Sequence, residues 1–189
     1  MKCLVFFLEE PSAEEMLKGI LPRILPVDII PQFVVFRGKQ DLEKRLVSRL
    51  REWRRPHTRF VVMRDQDAAD CVAVKNSLAT LCRQAGKPEA MIRVVCRTLE
   101  SFYLGDLSAV ERAFGINGVA NQQRKKKFRS PDDLGNPSEE LSKITNQRYQ
   151  KMSGSRTIAP LLSMEKNLSH SFNVLIRGIH RILEDDVWT

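Results

Sequence analysis

Asp65 and Asp67 stand one residue apart, just past the apolar run 59–64, RFVVMR. In an extended chain, side chains two apart point to the same side. The pair then presents two carboxylates that repel one another, and a hard cation relieves the repulsion. Mg2+ suits such a place: it takes one or two protein carboxylates, keeps several waters and completes its shell with phosphate oxygens. Two other apolar runs end in acid as well. Glu9 and Glu10 follow residues 2–8, KCLVFFL, and Glu100 lies shortly after residues 91–96, MIRVVC. A glutamate in that position serves as a further ligand or as an acid/base group. The plainer alternative is that Asp67 or Asp70 caps the next helix and Asp65 is a solvated loop residue.

Cationic residues supply the complement. Arg124, Lys125, Lys126, Lys127 and Arg129 form a dense cluster around Phe128. Such a cluster neutralises phosphates and gains affinity by counterion release. Phe128 either stacks on a base or anchors the loop to the core. Lys151, Ser153, Gly154, Ser155 and Arg156 read as a loop of small and basic residues ahead of a helix, with backbone N–H groups free to hold a phosphate or simply to connect helices. Lys39, after Gly38 at a strand end, faces the same edge as the acids, and Arg64 balances the charge of Asp65. His57, His170 and His180 share no fixed spacing, so no metal or catalytic role is assigned to them. No GxxxxGK[ST] loop occurs, so ATP hydrolysis belongs to a partner.

Composition bounds these readings. The 189 residues carry 31 Lys and Arg against 23 Asp and Glu, and 31 − 23 gives a net charge of +8, which favours an anionic partner. Residues 121–160 hold 9 basic and 4 acidic side chains, so 9 − 4 places +5 in that stretch alone. The four cysteines include no CxxC, which argues against a metal or disulfide framework and for buried thiols in a reducing cytoplasm. No apolar run reaches the roughly 18 residues of a membrane span, and the first run is too short for a signal peptide.

The elements that must position the acids alternate strand and helix. Strands are predicted at 2–8, 29–36, 59–64 and 91–96. Between them, Ser12 and Glu15 form a capping box for a first helix. Leu42, Leu46, Val47, Leu50 and Trp53 stripe a second helix. Cys71, Val74, Leu78, Leu81 and Cys82 stripe a third, closed by Gly86. Glu100 opens a turn or helix. This pattern implies an α/β fold with a small parallel sheet and right-handed crossovers, over residues 1–115, and a mainly helical extension over 116–189 packed on the same domain. In such sheets ligands bind beyond the carboxyl ends of the strands, where all five acids fall.

The segments LEEPSAEEML, FRGKQDLEKRL, VVMRDQDAADCVAVKNSL, IRVVCRTLESFYLGD, KKKFRSPDDLGNPSEEL and YQKMSGSRTIAP resemble the family of unknown function DUF4276. That family is itself similar to TOPRIM proteins, a Rossmann-like group that includes the OLD-type nucleases, and its members are commonly encoded beside ABC-type ATPases. The resemblance implies a TOPRIM-like fold and a Mg2+- or Mn2+-dependent phosphodiesterase acting on DNA or RNA, with a separate ABC- or OLD-type ATPase as partner in phage defence. Carried over, Glu9 takes the TOPRIM glutamate position as ligand or acid/base group. Glu10 stands where Gly is usual and is the alternative ligand. Asp65 and Asp67 match the Asp-x-Asp metal pair, and Glu100 resembles the later acid of OLD-type sites. Topoisomerase and primase activities are unexpected, because only Tyr103 and Tyr149 exist and no further domain fits. Two rivals remain: a non-catalytic module that binds nucleic acid or the ATPase, and a nucleotide-processing phosphotransfer enzyme. A homo-oligomer is left open.

Overall fold

In the computed structural model, residues 1–185 and Trp188 are described. Four strands, β1 (Lys2–Leu8), β2 (Ile29–Val35), β3 (Thr58–Asp65) and β4 (Met91–Val95), alternate with α1 (Pro11–Ile20), α2 (Lys39–Glu52) and α3 (Cys71–Gln84). All strand pairs are parallel, in the order β2-β1-β3-β4. Cys3 to Leu8 of β1 are fully buried because helices cover both faces of the sheet. Alternation divides them. Leu4, Phe6 and Leu8 join a core with Met16, Leu17 and Ile20 of α1. Cys3, Val5 and Phe7 join another with Leu42, Leu46 and Leu50 of α2 and Val74 and Leu78 of α3. The chain leaves β1 toward β2 on one side and returns to place β3 on the other. The carboxyl ends of β1 and β3 therefore bound the switch-point crevice of a doubly wound sheet.

Beyond β4 every described element is helical: α4 (Glu100–Leu104), α5 (Leu107–Phe114), α6 (Lys126–Arg129), α7 (Pro137–Ile144), α8 (Lys151–Ile158), α9 (His170–Glu184) and short 3₁₀ turns. These complete the first core. Phe128, Leu141, Ile158, Phe172 and Ile179 are fully buried in it. Glycines set the closest approaches. A Cβ on Gly19 would lie 2.7 Å from the Ala159 Cβ, which lets α1 meet the chain just past α8. A Cβ on Gly178 would lie 2.5 Å from the Met91 Sδ, which lets α9 lie on β4. Of the extension expected over 116–189, Asp186, Val187 and Thr189 lie outside the described residues.

Three local expectations are corrected. The Ser12–Glu15 capping box is not used. Pro11 opens α1, its fixed φ and missing N–H suiting the first turn, so Glu10 takes the cap position. The Ser12 hydroxyl then donates to the Glu10 carboxylate, and Glu15 pairs with Arg156 and Lys18. Second, the Lys151–Arg156 stretch is not a loop but the body of α8. Third, the chain does not stay extended through Asp67. β3 ends at Asp65, and Asp67 adopts a left-handed φ of 55°, a conformation that Asp tolerates better than most residues. Its N–H donates to the Arg97 carbonyl at 2.9 Å, which fixes the turn.

Candidate functional site

The acids meet at the carboxyl ends of β1, β3 and β4. β1 ends at Leu8, so Glu9 emerges at the crevice, and its Oε2 accepts the Asp65 backbone N–H at 3.1 Å. This bond ties the two central strand ends together. Asp65, last in β3, turns its Oδ2 to the Leu99 N–H at 3.3 Å, just ahead of Glu100. Glu100 opens α4 and is almost wholly buried, at 1% exposure. Its Oε1 accepts the Tyr149 hydroxyl at 3.0 Å, while its Oε2 has no hydrogen-bond partner among the described residues. Glu10 completes the group from the start of α1.

The charges of these four carboxylates act on one another. Burial first, then the charges of Glu10, Glu9 and Glu100, push the Asp65 carboxyl well above the usual carboxylate range, against the Leu99 hydrogen bond. Burial likewise raises Glu9, with Asp67 and Glu10 adding to the rise and the Asp65 N–H and Arg64 opposing it. No ion pair to Asp65 occurs among the described residues. Arg64, expected to balance Asp65, points to the other face, as alternation in a strand requires. It pairs with Glu43 of α2 and lies 4.0 Å from Glu9.

Two lysines rim the cleft. The Lys39 Nζ is 2.8 Å from the Asp67 Oδ2, and this partner holds its ammonium above the usual range. The Lys151 Nζ is 3.1 Å from the Glu10 Oε2. Burial would lower the Lys151 ammonium, but Glu10, Glu100 and Asp65 raise it on balance. Each lysine is the first residue of its helix, α2 or α8, and neither helix has a side-chain cap. Unbonded backbone N–H groups and the positive end of the helix dipole therefore accompany each ammonium, an arrangement suited to anions.

Among the described residues, no three His, Cys, Asp or Glu side chains stand close enough together to hold a metal ion. Asp67 in particular is paired with Lys39 and sits on a left-handed turn, not on an extended strand beside Asp65. The donor set still fits a hard, hydrated cation. Mg2+ needs one or two carboxylates, and Asp65 with the unpartnered oxygen of Glu100 would offer those, with Glu9 or Glu10 beside them.

The other basic residues make local contacts. Lys127 reaches Glu140 at 2.6 Å and lies over the Phe128 ring, with its Nζ 4.9 Å from the centroid. Lys125 bonds Gln122, and the Arg129 Nε bonds the Arg124 carbonyl. Phe128 is fully buried, so of its two expected roles the structure gives it the anchoring one. Arg156 is on α8 but pairs with Glu15 of α1, not with the acids of the cleft. Nothing in the sequence around Tyr149 marks it as a site residue. It lies 49 positions from Glu100, and no local spacing joins them.

The model of a family described as a domain of unknown function, DUF4276, matches residues 8–180. No curated protein and no solved structure matches the chain. No described helix is long and apolar enough to cross a membrane.

Proposed function

The chain belongs to the DUF4276 family, and we propose that this member is a Mg2+- or Mn2+-dependent phosphodiesterase of TOPRIM type that cleaves nucleic acid. The observation that carries the reading is the convergence of Glu9, Glu10, Asp65 and Glu100 at the switch-point crevice, with one oxygen of the buried Glu100 left without a partner. The charges of Glu10, Glu9 and Glu100 act on Asp65, and like charges at a partly buried site are costly unless a cation compensates them. A divalent ion held by Asp65 and Glu100 would supply Lewis-acid charge at a phosphoryl oxygen. Lys39 and Lys151 would leave Asp67 and Glu10 to grip the flanking phosphates, helped by the helix N-termini behind them. Glu9, raised by its burial, is the group suited to take the proton from an attacking water while the P–O ester bond breaks. The basic segment around Arg124–Arg129 would hold the backbone farther out. The TOPRIM resemblance also makes a separate ABC-type ATPase, in the cytoplasm, the proposed partner.

The ion pairs that already neutralise Asp67 and Glu10 favour one rival, a non-catalytic module that binds nucleic acid through the same lysines. Incubating the protein with plasmid, single-stranded DNA and RNA, with Mg2+ or Mn2+, separates the two readings. Cleavage that disappears in Asp65→Asn supports the enzyme. Equal nucleic-acid binding by both proteins, with no cleavage and no calorimetric metal binding, gives the module.

A further inference from the structure

We infer that Tyr149 is a positioning residue that fixes Glu100, and through it the approach of α8 to the acidic cleft. The inference rests on the metal-site reading above and deepens it. Tyr149 is itself tightly held. A Cβ on Gly154 would lie 2.4 Å from the Tyr149 Cδ2 and Cε2, so the ring occupies the space that only a glycine leaves. The Tyr149 N–H donates to the Oγ1 of the buried Thr145 at 3.2 Å, and its ring lies 6.2 Å from that of Tyr103.

Two tyrosine hydroxyls make separate bonds here. The Tyr103 hydroxyl donates to the Ser155 Oγ at 2.7 Å, and the Tyr149 hydroxyl donates to the Glu100 Oε1 at 3.0 Å. Each hydroxyl has one proton to give, and Tyr149 gives its own to Glu100, in buried surroundings where such a bond is strong.

That arrangement restrains Oε1 and leaves Oε2 without a partner among the described residues. A side chain that served packing alone would have both oxygens satisfied or would be apolar. The same tether sets Lys151, two residues after Tyr149, against Glu10. Residues that orient a ligand in this way change metal affinity without touching the metal.

Tyr149→Phe removes the hydroxyl and keeps the ring against Gly154. On the apo protein, side-chain carboxyl 13C resonances of Glu100 and Asp65 should move in this variant, a readout that needs no metal. By calorimetry Mn2+ affinity should fall about 10- to 100-fold, and adding Glu100→Gln to Tyr149→Phe should cost far less than Glu100→Gln costs alone. Ser155→Ala, which removes the acceptor of the Tyr103 hydroxyl and keeps the Tyr149 bond to Glu100, is the milder second variant and should move the same two resonances by less. If Glu100 and Asp65 stay in place in both variants while only the melting temperature changes, Tyr149 is structural and the proposal is overturned. Independent, multiplying losses of Mn2+ affinity overturn it too. A wild-type protein that binds no Mn2+ ends the metal reading instead, and the resonances then decide Tyr149 alone.

Discussion

The Asp65 carboxyl lies at the crevice within reach of the charges of three other carboxylates, and burial together with Glu10, Glu9 and Glu100 raises its pKa well above the ordinary value. The folded state therefore holds this proton more tightly than the unfolded chain does. The stabilising contribution is complete below the unfolded pKa of about 3.9 and is lost as pH rises through the folded value. Asp65→Asn keeps an acceptor for the Leu99 N–H and removes the charge. At neutral pH without divalent ions the variant should be more stable than wild type, by on the order of 1 kcal/mol, and the gap should close as pH falls toward about 4. Adding Mn2+ should raise the wild-type melting temperature, as any ligand of the folded state does, and leave that of the variant in place. Melts across pH, with and without Mn2+, check both halves. A variant less stable than wild type at every pH would mean that Asp65 is structural. Asp67 differs. Its pair with Lys39 is partly exposed, and Asn tolerates a left-handed φ well. Asp67→Asn should therefore shift stability by no more than about 0.5 kcal/mol in the same melts.

At the scale of elements, what the sequence reveals depends on how local the cause is. β1 and β3 are legible because burial on both faces demands unbroken apolar runs. α2 and α3 are legible because Leu42, Leu46, Leu50 and Val74, Leu78 recur at the helical period. Three strand ends carrying acid then imply a shared edge, and Glu9 and Asp65 do meet there. What escapes is decided by contacts distant in sequence. Asp67 turns because Arg97 offers it a carbonyl, and Tyr149 reaches Glu100 only after the chain has folded back. Ser153-Gly154-Ser155 carries the composition of a loop, yet it lies within α8, and Gly154 has no side chain because Tyr149 crowds the helix there. Gly154→Ala tests that explanation. Helix propensity alone favours Ala by about 1 kcal/mol, but the new Cβ would meet the Tyr149 ring at 2.4 Å. Denaturant unfolding should show net destabilisation of about 1–3 kcal/mol. Gly135→Ala, with nothing within 4 Å and no left-handed backbone, should be within about 0.5 kcal/mol of wild type. A stabilised Gly154→Ala would mean that the ring yields and the contact is loose.

Over the whole molecule the charge is segregated. Net charge is +8, yet the switch-point crevice gathers four carboxylates, and residues 121–160 hold +5, from 9 − 4. A polyanion is thus attracted by the molecule and repelled by the bare crevice, unless Lys39, Lys151 or a divalent ion intervenes. Binding and chemistry should be separable on these grounds. Phe128 anchors the basic segment in the core while Arg124, Lys125, Lys126 and Lys127 stay exposed around it. Changing those four residues to Gln leaves the anchor intact. Nucleic-acid affinity should fall alike for different sequences, and each lost phosphate contact should flatten the log–log salt slope by about 0.9 on duplex DNA. Lys127 already has Glu140 at 2.6 Å, so it should contribute less than the other three. Calorimetric Mn2+ binding should be unchanged, because among the described residues the ion pairs and hydrogen bonds of the four are made within their own segment or to Glu140, and none is made to the acids. A salt slope that stays at the wild-type value would show these cations to be solvated or docked on an acidic partner. Nucleic acid would then have to be held by Lys39, Lys151 and the two helix N-termini alone.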